Sequence, residues 1–307
     1  MKLGINLINF GPAARPEVLA GWAELAETLG YHSLLTSDHL AVTPDVTERY
    51  PAPFYEPVST LGWLAGITKR IEIGTTVTIV PYRHPLQTAR AFANIDQLSG
   101  GRLIFGVGVG WATREFEALD VPFARRGALT DEYLDVIIRH WTSDEVSHDG
   151  THRFEGVDTS PRPARRPHPP IWVGGGSDAA LRRTIRLGAS WHPIRQRPNR
   201  FRDDAVPHLR ALAEAERRPT PELCPRIQLD IRDRPLPDDE RLLGEGTFDQ
   251  LRADLALLED LGCSHVILDS FNAAWQDASA TLDYERTWDQ YRIVADEVFD
   301  LDAGTVR

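Results

Sequence analysis

The chain has 307 residues, a length that either two average domains or one α/β barrel can use. Its composition, 42% hydrophobic and 26% charged, is that of a globular protein with a large core. A net charge of −11 argues against a protein whose main role is to bind nucleic acid or acidic membranes. The sequence contains no membrane-length apolar run and no leader-like start, which predicts a cytoplasmic protein.

Short apolar runs of strand length alternate along the chain with longer segments of helical spacing. Several runs are apolar on both faces, as is typical of parallel strands covered by helices. The predicted strands span 3–6, 33–37, 71–77, 102–107, 170–175, 189–191, 226–231 and 265–269. The predicted helices span 19–30, 56–67, 85–99, 130–142, 177–187, 202–217, 247–262 and 284–300. Strand-then-helix units in this order predict a (β/α)8 TIM barrel, with residues 1–307 forming one domain.

Two long connections interrupt this rhythm. Residues 143–169 read as a polar hairpin around Asp149-Gly150 and a Pro/Arg-rich strap, inserted before the fifth strand. Residues 232–246 follow the seventh strand. Because loops after barrel strands carry the active-site residues, the second connection is a candidate lid. The alternative for both connections is that they are ordinary surface segments.

Glycines cluster at the ends of the fourth and fifth predicted strands. The stretch "RLIFGVGVGW" (102–111) does not have the G-x-G-x-x-G spacing of a dinucleotide-binding turn, and no second strand follows it at the required distance. A second cluster, "GGGSD", spans 174–178. Together they would expose backbone N–H groups to a phosphate; the alternative is that glycine only permits tight turns. The candidate phosphate-site residues are Gly106, Val107, Gly108, Val109, Gly110, Gly174, Gly175, Gly176 and Ser177.

An acid and an imidazole stand side by side at the end of the second strand, as Asp38 and His39. Such a histidine can act as a general acid or base near neutral pH, although a purely structural pair is the alternative. Cys224 and Cys263 have no metal-ligand spacing, and the histidines are dispersed, so no metal site is predicted.

Five segments then bear a family resemblance: "SLLTSDHL", "IEIGTTVTIVPYRHPLQTAR", "QLSGGRLIFGVGVGW", "RRPHPPIWVGGGSDAALRR" and "LGASW". They resemble the luciferase-like monooxygenase superfamily and, within it, the branch of coenzyme F420-dependent oxidoreductases. The resemblance runs from residue 1 to about residue 192.

The resemblance implies a barrel that binds F420 or FMN at the carboxyl ends of its strands. It implies a cis peptide bond from Thr76 to Val77, with Thr75, Thr76 and Val77 behind the cofactor ring and both glycine turns near its phosphate. His39 becomes the candidate for proton transfer, with Asp38 contacting the ring or orienting the imidazole.

The expected substrate pocket includes Trp111 and His192. Trp111 stands where alcohol-oxidising relatives carry a glutamate, which puts that activity in doubt and suits an apolar or unsaturated substrate.

The resulting expectation is an F420-dependent reductase that transfers hydride to an activated C=C or C=N bond of a small or natural-product-like substrate. The first alternative is an FMN-dependent monooxygenase, and the second is a non-catalytic flavin-binding relative. The expected partners are a second copy of the chain and a separate reductase that regenerates the reduced cofactor.

Overall fold

Eight parallel strands curve into a nearly closed barrel in the computed structural model, which describes residues 1–271 and 284–307. The strands are β1 Lys2–Leu7, β2 Ser33–Thr36, β3 Glu72–Thr75, β4 Leu103–Gly108, β5 Ile171–Gly174, β6 Ser190–His192, β7 Arg226–Gln228 and β8 His265–Asp269. They pair in the order β7-β8-β1-β2-β3-β4-β5-β6. Single parallel bridges, such as that between Ile194 and Arg226, link β6 to β7. The predicted (β/α)8 barrel is confirmed.

The helices lie around the barrel. They are α1 Pro16–Leu29, α2 Pro57–Ile67, α3 Pro85–Ser99, α4 Arg126–Thr142, α5 Asp178–Leu187, α6 Val206–Ala215, α7 Phe248–Asp260 and α8 Tyr284–Ile293. Proline begins α1, α2 and α3, where its missing N–H costs no hydrogen bond. Two short helices matter for the site: Pro44–Thr47 after β2 and Thr113–Ala118 after β4.

Several predicted boundaries differ from the observed ones. The third predicted strand stops at Thr75, and pairing resumes at Thr78–Ile79, which lies against β4. Helix α4 begins at Arg126, four residues before its predicted start. The last predicted helix ends at Ile293 and continues as a π-helical turn, so its hydrogen-bond pattern changes within one apolar segment.

Both long connections pack on the helical layer. In the first, strands Glu145–His148 and Phe154–Asp158 form the predicted hairpin, and the Glu132 carboxylate on α4 accepts the Thr151 N–H at 2.6 Å. In the second, Arg241 forms a buried ion pair with Asp254 on α7. The lid role of residues 232–246 stays a prediction.

The main hydrophobic core lies between the barrel and its helices, and Leu3, Ile5, Leu34, Ile73 and Phe105 are among its fully buried side chains. A separate, smaller cluster packs inside the barrel: Leu35, Ile104, Trp172, Cys224 and Ile267. The core therefore holds the strand ends in fixed positions around one mouth, at the carboxyl ends of the strands.

Within the described ranges no helix has both the length and the apolar character needed to span a membrane.

Candidate active site

Residues from four neighbouring strands meet at the barrel mouth. Asp38 and His39 follow β2, Val77 follows β3, and Trp111 follows β4. The exposed glycine turn that begins at Gly174 closes β5. In barrel enzymes this end carries the active site, so the sequence and the fold indicate the same place.

The chain bulges after β3, where the peptide bond between Thr76 and Val77 is cis, as expected. The Thr75 hydroxyl donates to the Gly106 carbonyl at 2.7 Å, which ties the start of the bulge to β4. A Cβ atom on Gly106 would lie 1.8 Å from the Thr75 oxygen, a distance that no side chain tolerates. Glycine is therefore required here for close contact between strands, whatever else the turn binds.

His192 lies inside the barrel, behind this bulge. Its side chain is fully buried; Nδ1 lies 2.5 Å from the Cys224 carbonyl and Nε2 lies 2.8 Å from the Thr76 hydroxyl. Since a carbonyl only accepts, Nδ1 carries the proton and Nε2 accepts from Thr76. The expectation that His192 lines the substrate pocket is therefore corrected: the imidazole supports the bulge from within.

A largely buried ion pair holds the same bulge. Arg226 donates to both the carbonyl and the hydroxyl oxygen of Thr76, at 3.0 and 3.2 Å, and its Nε donates to Asp269 at 2.9 Å. Asp269 also accepts from the Asn6 amide and the Phe271 backbone. The strand ends of β1, β7 and β8 thus stabilise one face of the bulge.

The His39 imidazole is held by a carboxylate that the sequence analysis missed. Nδ1 lies 2.6 Å from Oε2 of Glu115, which is fully buried in the short helix after β4. Glu115 also accepts from the Tyr82 hydroxyl at 2.9 Å and from the backbone N–H groups of Leu40 and Ala41 at 2.6 and 3.0 Å.

Asp38 has a different set of partners. Arg83 donates to both of its oxygens, at 2.8 and 2.9 Å, and the Ile79 N–H donates to Oδ2 at 2.9 Å. Arg83 also contacts Glu56, and its acidic partners raise its pKa, against the effect of burial. The interpretation that Asp38 orients His39 is therefore wrong, because Asp38 fixes the strand that follows the bulge.

Aromatic rings surround His39 at the mouth. The cluster comprises Phe10, Tyr50, Phe54, Trp111 and Phe271. The His39 ring lies 5.3 Å from those of Tyr50 and Phe54 and 5.7 Å from that of Trp111, centroid to centroid. Arg49 covers Trp111 at 4.4 Å. Such walls bind flat apolar molecules, and the place of Trp111 in a substrate pocket stays a prediction.

The glycine turn after β5 leads directly into α5. Gly175, Gly176 and Ser177 are exposed, and Gly175 adopts a left-handed φ of 104°. The Ser177 hydroxyl accepts from the Ala180 N–H and so caps the N-terminus of α5. No atom lies within 4 Å of a Cβ placed on Gly176, so a ligand has access to the backbone at this helix terminus.

Burial lowers the pKa of His192 from 6.5 to about 4, and this has a consequence for acid stability. In the unfolded chain this imidazole binds a proton near pH 6.5, whereas in the folded chain it binds one only near pH 4. The stabilising contribution of the neutral imidazole is therefore complete above pH 6.5 and is lost as the pH falls toward 4. The difference between these two pKa values corresponds to about 3 kcal/mol of folding free energy. We expect H192Q to be less stable than wild type at pH 8 but to lose less stability between pH 7 and 4.

Urea unfolding at several pH values measures this difference. Parallel stability curves for the two proteins would show that His192 does not titrate in this window.

Glu115 had a signal in the sequence that could have identified it. By its spacing it lies on one helix face, where its neighbours at positions i−3, i+1 and i+4 are all apolar: Ala112, Phe116 and Leu119. An acid in the middle of an apolar face is seldom buried without a partner.

In the described part of the chain, no group of three or more His, Cys, Asp or Glu residues is arranged to hold a metal ion.

Comparison with known proteins places the geometry in context. The family model described as luciferase-like monooxygenase matches residues 1–265. The F420-dependent glucose-6-phosphate dehydrogenase of Amycolatopsis mediterranei is 33% identical over 180 residues, 56% of this chain and 52% of the relative. The FMNH(2)-dependent dimethylsulfone monooxygenase of Pseudomonas putida is 28% identical over 174 residues, 55% of this chain and 46% of the relative. These two matches thus span about half of each relative.

A solved structure extends the similarity of fold to nearly the whole chain. The crystal structure of a monooxygenase from Streptomyces bottropensis superimposes with a TM-score of 0.74 at 23% identity, covering 96% of this chain and 98% of the other.

Proposed function

Because the chain belongs to the luciferase-like monooxygenase family, we propose that it is an F420-dependent reductase. The substrate in this proposal is a small or natural-product-like molecule with an activated C=C or C=N bond. One observation carries the proposal: Glu115 holds Nδ1 of His39 beside the bulge and the aromatic wall, which leaves Nε2 as the nitrogen available for proton transfer.

The residues at the mouth fit a phosphate-bearing cofactor with a flat ring system. The open backbone at Gly176 and the N-terminus of α5 suit the phosphate. Thr75, Thr76 and Val77 form a rigid backing for the ring, since Arg226 and His192 hold Thr76 from behind. Gly106, Val107 and Gly108 are buried residues of β4, so in this proposal only the half-buried Val109 and Gly110 border the cofactor.

When bound, reduced F420 supplies the hydride. In the reduction, the doubly protonated His39 ring would donate its Nε2 proton to the substrate, directly or through a water molecule, and then regain a proton from solvent. Nδ1 keeps its proton and its hydrogen bond to Glu115 throughout. The rings of Tyr50, Phe54 and Trp111 orient a flat substrate and exclude water from the reacting bond. The protein thus contributes orientation, a proton and a dry pocket.

We also propose that the enzyme acts as a homodimer and depends on a separate reductase for its reduced cofactor. The exposed apolar side chains of Trp63 and Ile67 on α2 and Leu98 on α3 support an interface between copies.

The rival proposal is an FMN-dependent monooxygenase, which the likeness to the dimethylsulfone monooxygenase supports. F420 and FMN both carry a phosphate and a three-ring system, so the same mouth suits either. A requirement for O2 in turnover would favour FMN. The third possibility, a non-catalytic flavin-binding relative, predicts that H39A leaves the protein's function, including flavin binding, unchanged.

Two titrations of the apo-protein, one with F420 and one with FMN, test the cofactor assignment. Each is followed by the fluorescence of the cofactor itself. Micromolar or tighter binding of F420 with weak FMN binding supports the reductase. The reverse preference supports the monooxygenase, and failure of both cofactors to bind contradicts a shared phosphate site.

The phosphate seat gives a sharper prediction at one position. We expect G176D to weaken binding of the preferred cofactor at least about tenfold, because a carboxylate would repel the phosphate at the helix terminus. G176A is the matched control: its methyl group enters open space, so affinity should change little. Equal affinities for G176D and wild type in the same titration would place the phosphate elsewhere.

A further inference from the structure

Glu115 joins two parts of the site that separate strands supply. Three of the four hydrogen bonds recorded for its carboxylate come from consecutive residues, His39, Leu40 and Ala41, and the fourth comes from Tyr82. We propose that Glu115 is a positioning residue that couples the His39 imidazole to the rim loop, residues 40–55. This assignment rests on the proposed function of His39.

The first half of the coupling concerns the tautomer. Oε2 of Glu115 accepts from the Tyr82 hydroxyl and lies 2.6 Å from Nδ1 of His39. A carboxylate can only accept, so the imidazole proton sits on Nδ1. Nε2 then receives or delivers the proton in the reaction, and the ring cannot turn over without breaking this hydrogen bond.

The second half concerns the rim loop. Oε1 of Glu115 accepts the N–H groups of Leu40 and Ala41, which fixes the direction in which the loop leaves β2. A reciprocal contact runs the other way: Asp45 in the rim loop accepts the Arg114 N–H at 3.2 Å. Two carboxylates thus bind the loop and the short helix to each other.

The rim loop also supplies rings that contact His39. Tyr50 and Phe54 both belong to it, and each ring centroid lies 5.3 Å from that of His39. A rim loop released from Glu115 would therefore change the substrate wall at the same time as the imidazole. Loss of the carboxylate should raise KM and lower kcat together, whereas a residue that only stabilises the fold changes neither in the surviving folded enzyme.

Imidazole 15N spectra of the wild-type apo-protein give the first test, which needs neither cofactor nor substrate. We expect the neutral His39 ring to show a protonated Nδ1 and an unprotonated Nε2, with H39Q used to assign the signals. A ring with its proton on Nε2 would overturn the proposal.

The E115Q variant gives the second test. We expect a mixture of His39 tautomers, amide hydrogen exchange at Leu40 and Ala41 about tenfold faster or more, a kcat about 10- to 100-fold lower and a higher KM. E115D, shorter by one methylene, should recover part of each effect. The matched control is E117Q, an exposed glutamate on the same short helix, for which wild-type values are expected.

The outcomes separate this proposal from the cofactor assignment. If neither F420 nor FMN binds but E115Q alters the tautomer and the exchange rates, the coupling stands and the proposed function fails. If cofactor binds and E115Q keeps the wild-type tautomer, exchange rates and kcat, the coupling is wrong. If E115Q does not fold, E115D and the wild-type spectrum decide.

Discussion

Replacing His39 by alanine is expected to lower the kcat of the F420-loaded enzyme by about 10²- to 10⁴-fold, the usual contribution of general acid or base catalysis. The reason is positional: with Nδ1 bound to Glu115, only Nε2 is available for proton transfer. Cofactor affinity should change little, because the proposed phosphate and ring sites use other residues. Consumption of reduced F420 by a panel of α,β-unsaturated carbonyl compounds and imines measures the effect.

The control for this experiment is H168A. His168 lies just before β5, at the opposite end of the barrel, and its Nδ1 lies 2.7 Å from the neighbouring Pro169 carbonyl. Its replacement should leave kcat at the wild-type value. Near-normal turnover in H39A, with cofactor still bound, would assign proton delivery to another group or to solvent.

The architecture could be predicted from the sequence because it depends on local signals. Apolar runs of strand length, proline at helix starts and glycine at helix ends such as Gly30 act over a few residues, and the structure follows them closely. The boundary errors occur where tertiary contacts override these signals. The third strand stops at Thr75 because Arg226, distant in sequence, binds the next residue. That residues 1–307 form one domain stays a prediction.

The candidate site was predicted less completely, for a different physical reason. Strand ends are local features, so Asp38, His39 and the glycine turns could be located from the sequence. Their partners are not local: Glu115 lies 76 residues beyond His39, and Arg83 lies 45 residues beyond Asp38. A neighbouring carboxylate was the obvious candidate to orient the imidazole, but adjacent residues on an extended chain point in opposite directions.

The misplacement of His192 has a similar origin. It was placed in the pocket because it ends a strand, yet alternate residues at a barrel strand end point inward and outward. The inward position puts the imidazole among the groups that hold the bulge, where both nitrogens are satisfied. Polar residues inside the barrel thus hold the bulge at Thr76 from within.

The Asp38–Arg83 ion pair should contribute strongly to stability because it is almost completely buried. The side chains are 0% and 7% exposed, and removing Asp38 leaves a buried guanidinium that keeps Glu56 as its one acidic partner among the described residues. We expect D38A to lower the free energy of unfolding by about 3–5 kcal/mol, the usual cost of breaking a buried pair from one side. Urea unfolding at neutral pH, extrapolated to water, measures this change.

A surface pair provides the matched comparison. Asp135 and Arg139 form an ion pair on α4 with side chains 57% and 38% exposed, so D135A should cost less than about 1 kcal/mol. The two variants differ mainly in burial. Asp38 also holds the Ile79 N–H, so D38A should release the strand after the bulge and weaken cofactor binding, whereas D135A should not. A D38A protein as stable as D135A, with normal cofactor affinity, would contradict the role of Asp38 in supporting the bulge.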